Sequence, residues 1–137
     1  GKWVIMFPEG TRSERGAQGV YKNGAARLAI ATGASIVPIA VASARCWPRK
    51  SFTFIPGTVA VSFGPPIVPS PGESAADLMD KVSDWIENEM RRIDPDAYPE
   101  SERPPDPLQQ EATLGAALEE QAAAARAAQG GLHDDSV

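Results

Sequence analysis

Residues 3–13 read Trp-Val-Ile-Met-Phe-Pro-Glu-Gly-Thr-Arg-Ser, and this stretch decides the predicted fold. Its first five residues are all apolar, which is typical of a short strand buried on both faces of a sheet. Pro8 has no amide proton for a sheet ladder, so we expect the strand to end there. The polar residues that follow would leave the carboxyl end of the strand, where α/β sheets usually hold ligands.

The turn at residues 9–13 carries side chains suited to binding an anion. Arg12 offers a planar fork of donors that fits phosphate, and Thr11 and Ser13 add hydroxyl groups. Gly10 gives the turn flexibility, and Glu9 can hold the Arg12 fork in place. A purely structural ion pair between Glu9 and Arg12 is the alternative, and such exposed pairs contribute little to stability.

The residues that follow predict a second strand, joined to the first through a helix. Asn23 can cap a helix that begins near Gly24 and ends at Gly33. Residues 35–42 are again apolar, so they predict a second buried strand, in which Pro38 indicates an edge position or a bulge. Together these elements predict a parallel βαβ unit. The apolar face of the helix is predicted to comprise Ala25, Leu28, Ala29 and Thr32.

A hairpin and a longer helix are predicted next. Residues 52–54 and 58–63 alternate as strands do, and the turn pair Pro56-Gly57 joins them, which predicts a β-hairpin. Residues 73–93 carry large apolar side chains three or four positions apart with acidic residues opposite, which predicts an amphipathic helix packed on the sheet. The predicted fold class is therefore α/β, with a C-terminal amphipathic helix.

The composition changes after Asp94. Residues 95–107 contain five prolines among charged residues, and residues 108–129 are rich in Ala, Gln and Glu with few large apolar side chains. We therefore expect one domain at residues 1–93. Residues 94–137 are expected to form a Pro-rich linker and an Ala/Gln-rich tail that is disordered or marginally helical.

Charge is distributed unevenly along the chain. The net charge is −5, but residues 1–72 hold eight Lys and Arg against two Glu, whereas residues 73–137 hold five against sixteen acidic residues. A basic first half suits an anionic ligand or an anionic membrane surface, although a soluble fold with an acidic tail gives the same counts. The basic loop around Trp47 could contact lipid headgroups or an anionic cofactor, or could simply cover a sheet edge. With one cysteine, Cys46, and one histidine, His133, we expect no transition-metal site.

Three segments resemble the glycerolipid acyltransferases, the family of the 1-acylglycerol-3-phosphate acyltransferases. Phe-Pro-Glu-Gly-Thr-Arg-Ser at residues 7–13 resembles the third sequence block of that family. Tyr-Lys-Asn-Gly-Ala at residues 21–25 resembles the Phe-Lys-x-Gly-Ala segment of bacterial members, and residues 36–41 resemble the fourth block. The matches follow the order of the family and cover residues 1–68.

The resemblance implies transfer of an acyl group from acyl-CoA or acyl carrier protein to lysophosphatidate, in phospholipid biosynthesis at the cytoplasmic face of the membrane. It assigns the Glu-Gly-Thr-Arg group to the glycerol phosphate of the acceptor. Arg12 would bind phosphate, Thr11 would add a hydrogen bond, Gly10 would allow close backbone approach, and Glu9 would orient the acceptor or Arg12. Lys22 would give a second cation, or is a solvated residue at the helix start. No metal or organic cofactor is required, and nucleic acid is not expected as a partner.

Two blocks of the family are not found in this sequence. The first, His-x-x-x-x-Asp, supplies the general base, and the second carries a Gly and an Arg that bind substrate. His133 lies in a polar tail without an Asp at the required spacing, so we expect no catalytic residue in this chain. We interpret the chain as the carboxy-terminal part of an acyltransferase, inactive by itself. The alternatives are a non-catalytic phosphate- or lipid-binding module and a general α/β fragment whose loop is only a turn.

Overall fold

The computed structural model describes residues 2–103 and 115–123. The chain divides into two units, residues 1–104 and 105–137. The first unit contains helix α1 (Gly24–Thr32), strands β1 (Ile39–Ala42) and β2 (Ala60–Phe63), helix α2 (Ala75–Ile93), and two 3-10 turns at Pro95–Ala97 and Glu100–Glu102. In the second unit, residues 115–123 are helical. Helices combined with a small sheet place the first unit in the predicted α/β class.

Helix α1 begins and ends at the predicted residues, but its N-terminus and its buried face differ in detail. Asn23 occupies the N-cap position, and its side chain makes no capping hydrogen bond. The predicted buried face is partly wrong, since Leu28 is 42% exposed, whereas Ala26 and Ala29 are buried. These two small side chains pack against α2, and their size lets the helices approach closely.

Helix α2 supplies the large side chains of the core. The Ser74 hydroxyl accepts a hydrogen bond from the amide of Asp77 at 3.1 Å, which caps the first turn. Leu78, Met79 and Val82 are buried together with the alanines of α1, and partly buried Tyr21, Ile36, Ile67 and Ile86 pack around them. The core therefore lies between the two helices and the chain that flanks the sheet.

The sheet of the first unit consists of β1 and β2, which pair antiparallel with Ile39 opposite Phe63. An isolated bridge between Ile36 and Ile67 continues the pairing beyond the strands. Pro38 precedes β1, and its carbonyl accepts the amide of Gly64 at 2.8 Å. Proline is tolerated at this position because only its carbonyl is used in the pairing.

Two predicted strands are not formed among the described residues. Residues 2–7 have no ladder partner within residues 2–103, and Trp3 and Phe7 are 95% and 81% exposed. The predicted parallel βαβ unit is therefore absent from this part of the chain, because a strand needs a neighbour for its backbone hydrogen bonds. The predicted hairpin is also wrong, because β2 pairs with β1 and leaves Phe52 fully exposed.

Packed structure continues past Ile93, the residue at which the sequence predicts the domain to end. Asp94 and Tyr98 are each only 6% exposed, and the carboxylate of Asp94 binds Arg15. Apart from residues 115–123, the predicted tail beyond Arg103 lies outside the described residues, His133 included.

Candidate functional site

Residues 9–22, called the 9–22 loop below, form the candidate site. The loop contains no helix or strand. It opens with a turn in which the Gly10 amide donates to the Phe7 carbonyl at 3.0 Å, and Gly10 has a φ of 68°. The Lys22 amide donates to the Pro8 carbonyl at 2.9 Å, which brings the two ends of the loop together.

Gly10 and Lys22 are neighbours in space as well as members of the predicted site. A Cβ atom added at Gly10 would lie 2.9 Å from Nζ of Lys22, so the ammonium group rests beside the glycine backbone. A side chain at this position would be strained by the positive φ and would displace the ammonium group. The Lys22 ammonium group therefore lies against the turn that carries Glu9, Gly10 and Arg12.

The carboxylate of Glu9 points into the loop. The Ser13 hydroxyl donates a hydrogen bond to Oε2 of Glu9, and the carboxylate lies against Gly19, where an added Cβ would collide with it. Burial, followed by repulsion from the carboxylate of Glu87, raises the pKa of Glu9. Within residues 2–103 Glu9 makes no ion pair with Arg12, so Glu9 does not hold the guanidinium group as the sequence suggested.

Arg12 is in contact with Trp47. The guanidinium carbon of Arg12 lies 4.2 Å from the centroid of the Trp47 ring, which is within the range of a cation–π contact. The Trp47 ring is held by a hydrogen bond from its Nε1 to the Ser51 carbonyl at 3.0 Å and by a tilted contact with the Phe54 ring at a centroid distance of 4.7 Å. Within residues 2–103, Arg12 makes no hydrogen bond and no ion pair, so its five guanidinium donors stay available to a ligand.

A buried polar pair lies behind the loop. The Tyr21 hydroxyl donates to Oε1 of Glu87 on α2 at 2.8 Å, and Glu87 is only 7% exposed. Burial, together with the hydrogen bond and the nearby negative charge, raises the pKa of Tyr21. Sequence reasoning missed both residues, although a tyrosine where the resembling segment has phenylalanine was a visible signal.

The segment after α2 braces the loop from another side. Nε and one terminal nitrogen of Arg15 donate to the two carboxylate oxygens of Asp94, at 2.8 and 2.6 Å. This hydrogen bonding lowers the pKa of Asp94 and raises the pKa of Arg15. Arg45 adds a second cation, 3.5 Å from the same carboxylate. Such a bidentate pair fixes direction as well as distance, so it anchors the middle of the 9–22 loop.

The arrangement presents positive charge outward. Arg12 and Lys22 are exposed, as is Thr11, whereas Glu9 is turned inward. Loops of this kind suit a compact anion such as a phosphate group. Among the described residues, no group of three or more His, Cys, Asp or Glu side chains could hold a metal ion. In the same part of the chain, no helix has the length and apolar character needed to cross a membrane.

Comparison with known proteins assigns the family. Residues 1–42, which include the whole 9–22 loop and α1, match the family model described as Acyltransferase. A protein of Pseudomonas aeruginosa named 1-acyl-sn-glycerol-3-phosphate acyltransferase is 35% identical over 98 residues, which is 69% of this chain. This chain belongs to the acyltransferase family. The resemblance noted in the sequence is thereby confirmed.

Plant acyltransferases are similar as well. Proteins from Cocos nucifera and Limnanthes douglasii, both named 1-acyl-sn-glycerol-3-phosphate acyltransferase, are 29% and 32% identical over 74% and 61% of this chain. The chain spans 38%, 31% and 28% of the length of these three relatives. No solved structure matches the chain.

Proposed function

We propose that this acyltransferase transfers an acyl group from a thioester to lysophosphatidate and so forms phosphatidate. The proposal is supported by the similarity to the relatives from Pseudomonas aeruginosa and the two plants, which are named 1-acyl-sn-glycerol-3-phosphate acyltransferase. The observation that carries it is the Arg12 guanidinium group, which lies over the Trp47 ring and makes no hydrogen bond within residues 2–103, in a loop whose Glu9 carboxylate is turned inward.

The residues of the 9–22 loop would share the phosphate of the acceptor. Arg12 would bind two phosphate oxygens through its fork, and Lys22 would add a point charge next to Gly10. Thr11, which is exposed on the same turn, would donate a hydroxyl hydrogen bond. Because Glu9 is turned into the loop and accepts a hydrogen bond from Ser13, its negative charge opposes a phosphate group less than a free carboxylate would.

In the proposed reaction, the glycerol hydroxyl of the acceptor attacks the thioester carbon, and the thiol of coenzyme A or acyl carrier protein leaves. The hydroxyl proton passes to a general base, which in this proposal lies in the part of the enzyme that the relatives have beyond this chain. Residues 3–7 would then form their strand against that part, since Trp3, Ile5 and Phe7 are each at least 80% exposed.

The membrane contact would fall on the loop that carries Trp47. Phe52 and Phe54 are 100% and 68% exposed there, with Arg49 and Lys50 nearby. Aromatic side chains flanked by cations are suited to an anionic lipid surface, such as the cytoplasmic leaflet. The proposal expects Phe52→Ser to weaken binding of the full-length protein to vesicles that contain phosphatidylglycerol. Equal vesicle binding by the variant and the unaltered protein would contradict it.

The central experiment measures acyl transfer by the full-length protein, following thiol release with lysophosphatidate and acyl-CoA. Arg12→Ala should raise the KM for lysophosphatidate roughly ten- to a hundredfold, because a charge-assisted contact of about 1.5–3 kcal/mol is lost. The KM for acyl-CoA should change far less. Arg27→Ala removes an exposed cation from α1 and serves as the control.

The outcome also separates the enzyme from a module that only binds phosphate or lipid. Lysophosphatidate binding that depends on Arg12, without thiol release by the full-length protein, would favour the binding module. An equal rise in both KM values, or an equal effect of Arg27→Ala, would contradict the assignment of Arg12 to the acceptor phosphate.

A further inference from the structure

Glu87 places a buried carboxylate behind the 9–22 loop. Glu87 on α2 is 7% exposed, and its charge is close enough to raise the pKa of Glu9. Carboxylates such as these cost free energy to bury unless donors satisfy their oxygens. Each has one hydroxyl donor here, since Ser13 donates to Glu9 and Tyr21 donates to Glu87.

Tyr21 is connected to the site on both sides. Its hydroxyl holds Glu87 at 2.8 Å, and the amide of the next residue, Lys22, donates to the Pro8 carbonyl at 2.9 Å. Pro8 immediately precedes Glu9, so a shift of Tyr21 is passed directly to the start of the loop. The phenol therefore links α2 to the turn that carries the outward-facing cations.

Other charged and titratable groups lie around this cluster. Tyr98 comes from the segment after α2, and its pKa is raised by burial and by the charge of Glu87. Arg91 on α2 stacks over the Tyr98 ring at 5.3 Å, and Asp94 is bound to Arg15. Arg91 and Arg15 are therefore engaged with other partners. Within residues 2–103, Glu87 receives its side-chain hydrogen bond from Tyr21.

We propose that Tyr21 is a positioning residue of the acceptor site, because its hydroxyl satisfies the buried Glu87 carboxylate and so ties the start of the 9–22 loop to α2. Without that hydroxyl, the Glu87 carboxylate is left buried without its donor, and this cost is relieved only when Glu87 and the neighbouring chain shift. Residues 21 and 22 then move, and the turn that carries Arg12 moves with them through the hydrogen bond between Lys22 and Pro8. The inference rests on the proposed function and deepens it, since it concerns binding of the same phosphate group.

The test compares variants of the full-length enzyme. Tyr21→Phe should raise the KM for lysophosphatidate about five- to tenfold, and should change kcat and the KM for acyl-CoA by no more than about twofold. The double variant Tyr21→Phe/Glu87→Gln should return the acceptor KM to within about twofold of the original value, because the uncompensated charge is gone. A merely structural role would lower the unfolding temperature without this separation of KM from kcat.

Asp84→Asn is the matched control, since Asp84 is an exposed acidic residue on the same helix. Combined with Tyr21→Phe, it should restore nothing. The inference is overturned if Tyr21→Phe leaves the acceptor KM unchanged, or if Asp84→Asn rescues as well as Glu87→Gln does. If Tyr21→Phe fails to fold, a folded double variant with a normal acceptor KM supports the inference, and a double variant that also fails overturns it.

A second measurement keeps this inference separate from the proposed function. The dissociation constant for glycerol 3-phosphate, measured by calorimetry on the same proteins, requires no turnover. Weakened binding in Tyr21→Phe that Glu87→Gln restores supports the positioning role even where acyl transfer is not found. Unchanged binding in an enzyme that does transfer acyl groups refutes the positioning role alone.

Discussion

The stack of Arg12 on Trp47 predicts that an aromatic residue outside the sequence motif controls affinity for the acceptor. Replacing Trp47 with leucine removes the ring that lies 4.2 Å from the guanidinium carbon and leaves Arg12 intact. Both side chains are exposed, Trp47 by 40%, so the contact belongs near the lower end of cation–π strengths. That end is about 0.5–1 kcal/mol, which corresponds to a two- to fivefold rise in the KM for lysophosphatidate.

The assay is initial-rate kinetics of the full-length enzyme with each substrate varied in turn. Trp47→Phe keeps an aromatic face and should fall between Trp47→Leu and the original protein. Val68→Ala is the control, because Val68 is 66% exposed and lies outside both the 9–22 loop and the loop that carries Trp47. Trp47→Leu added to Arg12→Ala should have little further effect, since the partner of the stack is already absent. Equal effects of Trp47→Leu in the presence and absence of Arg12 would refute the reasoning.

Three further predictions concern stability, measured by urea unfolding of the full-length protein. Asp94→Asn should lower the free energy of unfolding by about 1–3 kcal/mol at pH 7, because it breaks a bidentate pair whose other member, Arg15, is one-third exposed. Since this pair lowers the pKa of Asp94, its contribution is complete above a pH of about 4 and is lost as the pH falls through that lowered value. The difference between Asp94→Asn and the original protein should therefore shrink in acid; a constant difference would contradict the pairing. Gly16→Ala should destabilise more than Gly72→Ala, because both glycines have a positive φ but only Gly16 lies against the Ala97 carbonyl.

Local patterns predicted the helices well because a helix satisfies its own backbone hydrogen bonds. The spacing of Leu78, Met79 and Val82 identified α2, and Gly33 identified the end of α1. The strands were harder, since an apolar run shows the capacity to pair but does not show which segment is the partner. Residues 3–7 form such a run and residues 52–54 alternate as strands do, yet neither segment forms a strand in the described part of the chain.

The sequence predicted the motif residues of the candidate site but not the residues that contact and support them. The motif brought Gly10, Arg12 and Lys22 to notice because their chemistry can be read residue by residue. The contacts of Arg12 with Trp47 and of Tyr21 with Glu87 join residues far apart in the sequence, the second pair across 66 positions. No local period encodes such pairs, so they become visible only once the helices and loops are packed.

The brace between the 9–22 loop and the segment after α2 makes the motif a poor unit for transplantation. Arg15 and Gly16 are shaped for Asp94 and Ala97, which lie at the other end of the unit. A loop grafted alone into a related enzyme would bring Arg15 without the Asp94 carboxylate that binds it. Recombination between relatives should therefore preserve function best when its crossover points keep residues 9–22 and 94–98 from the same parent.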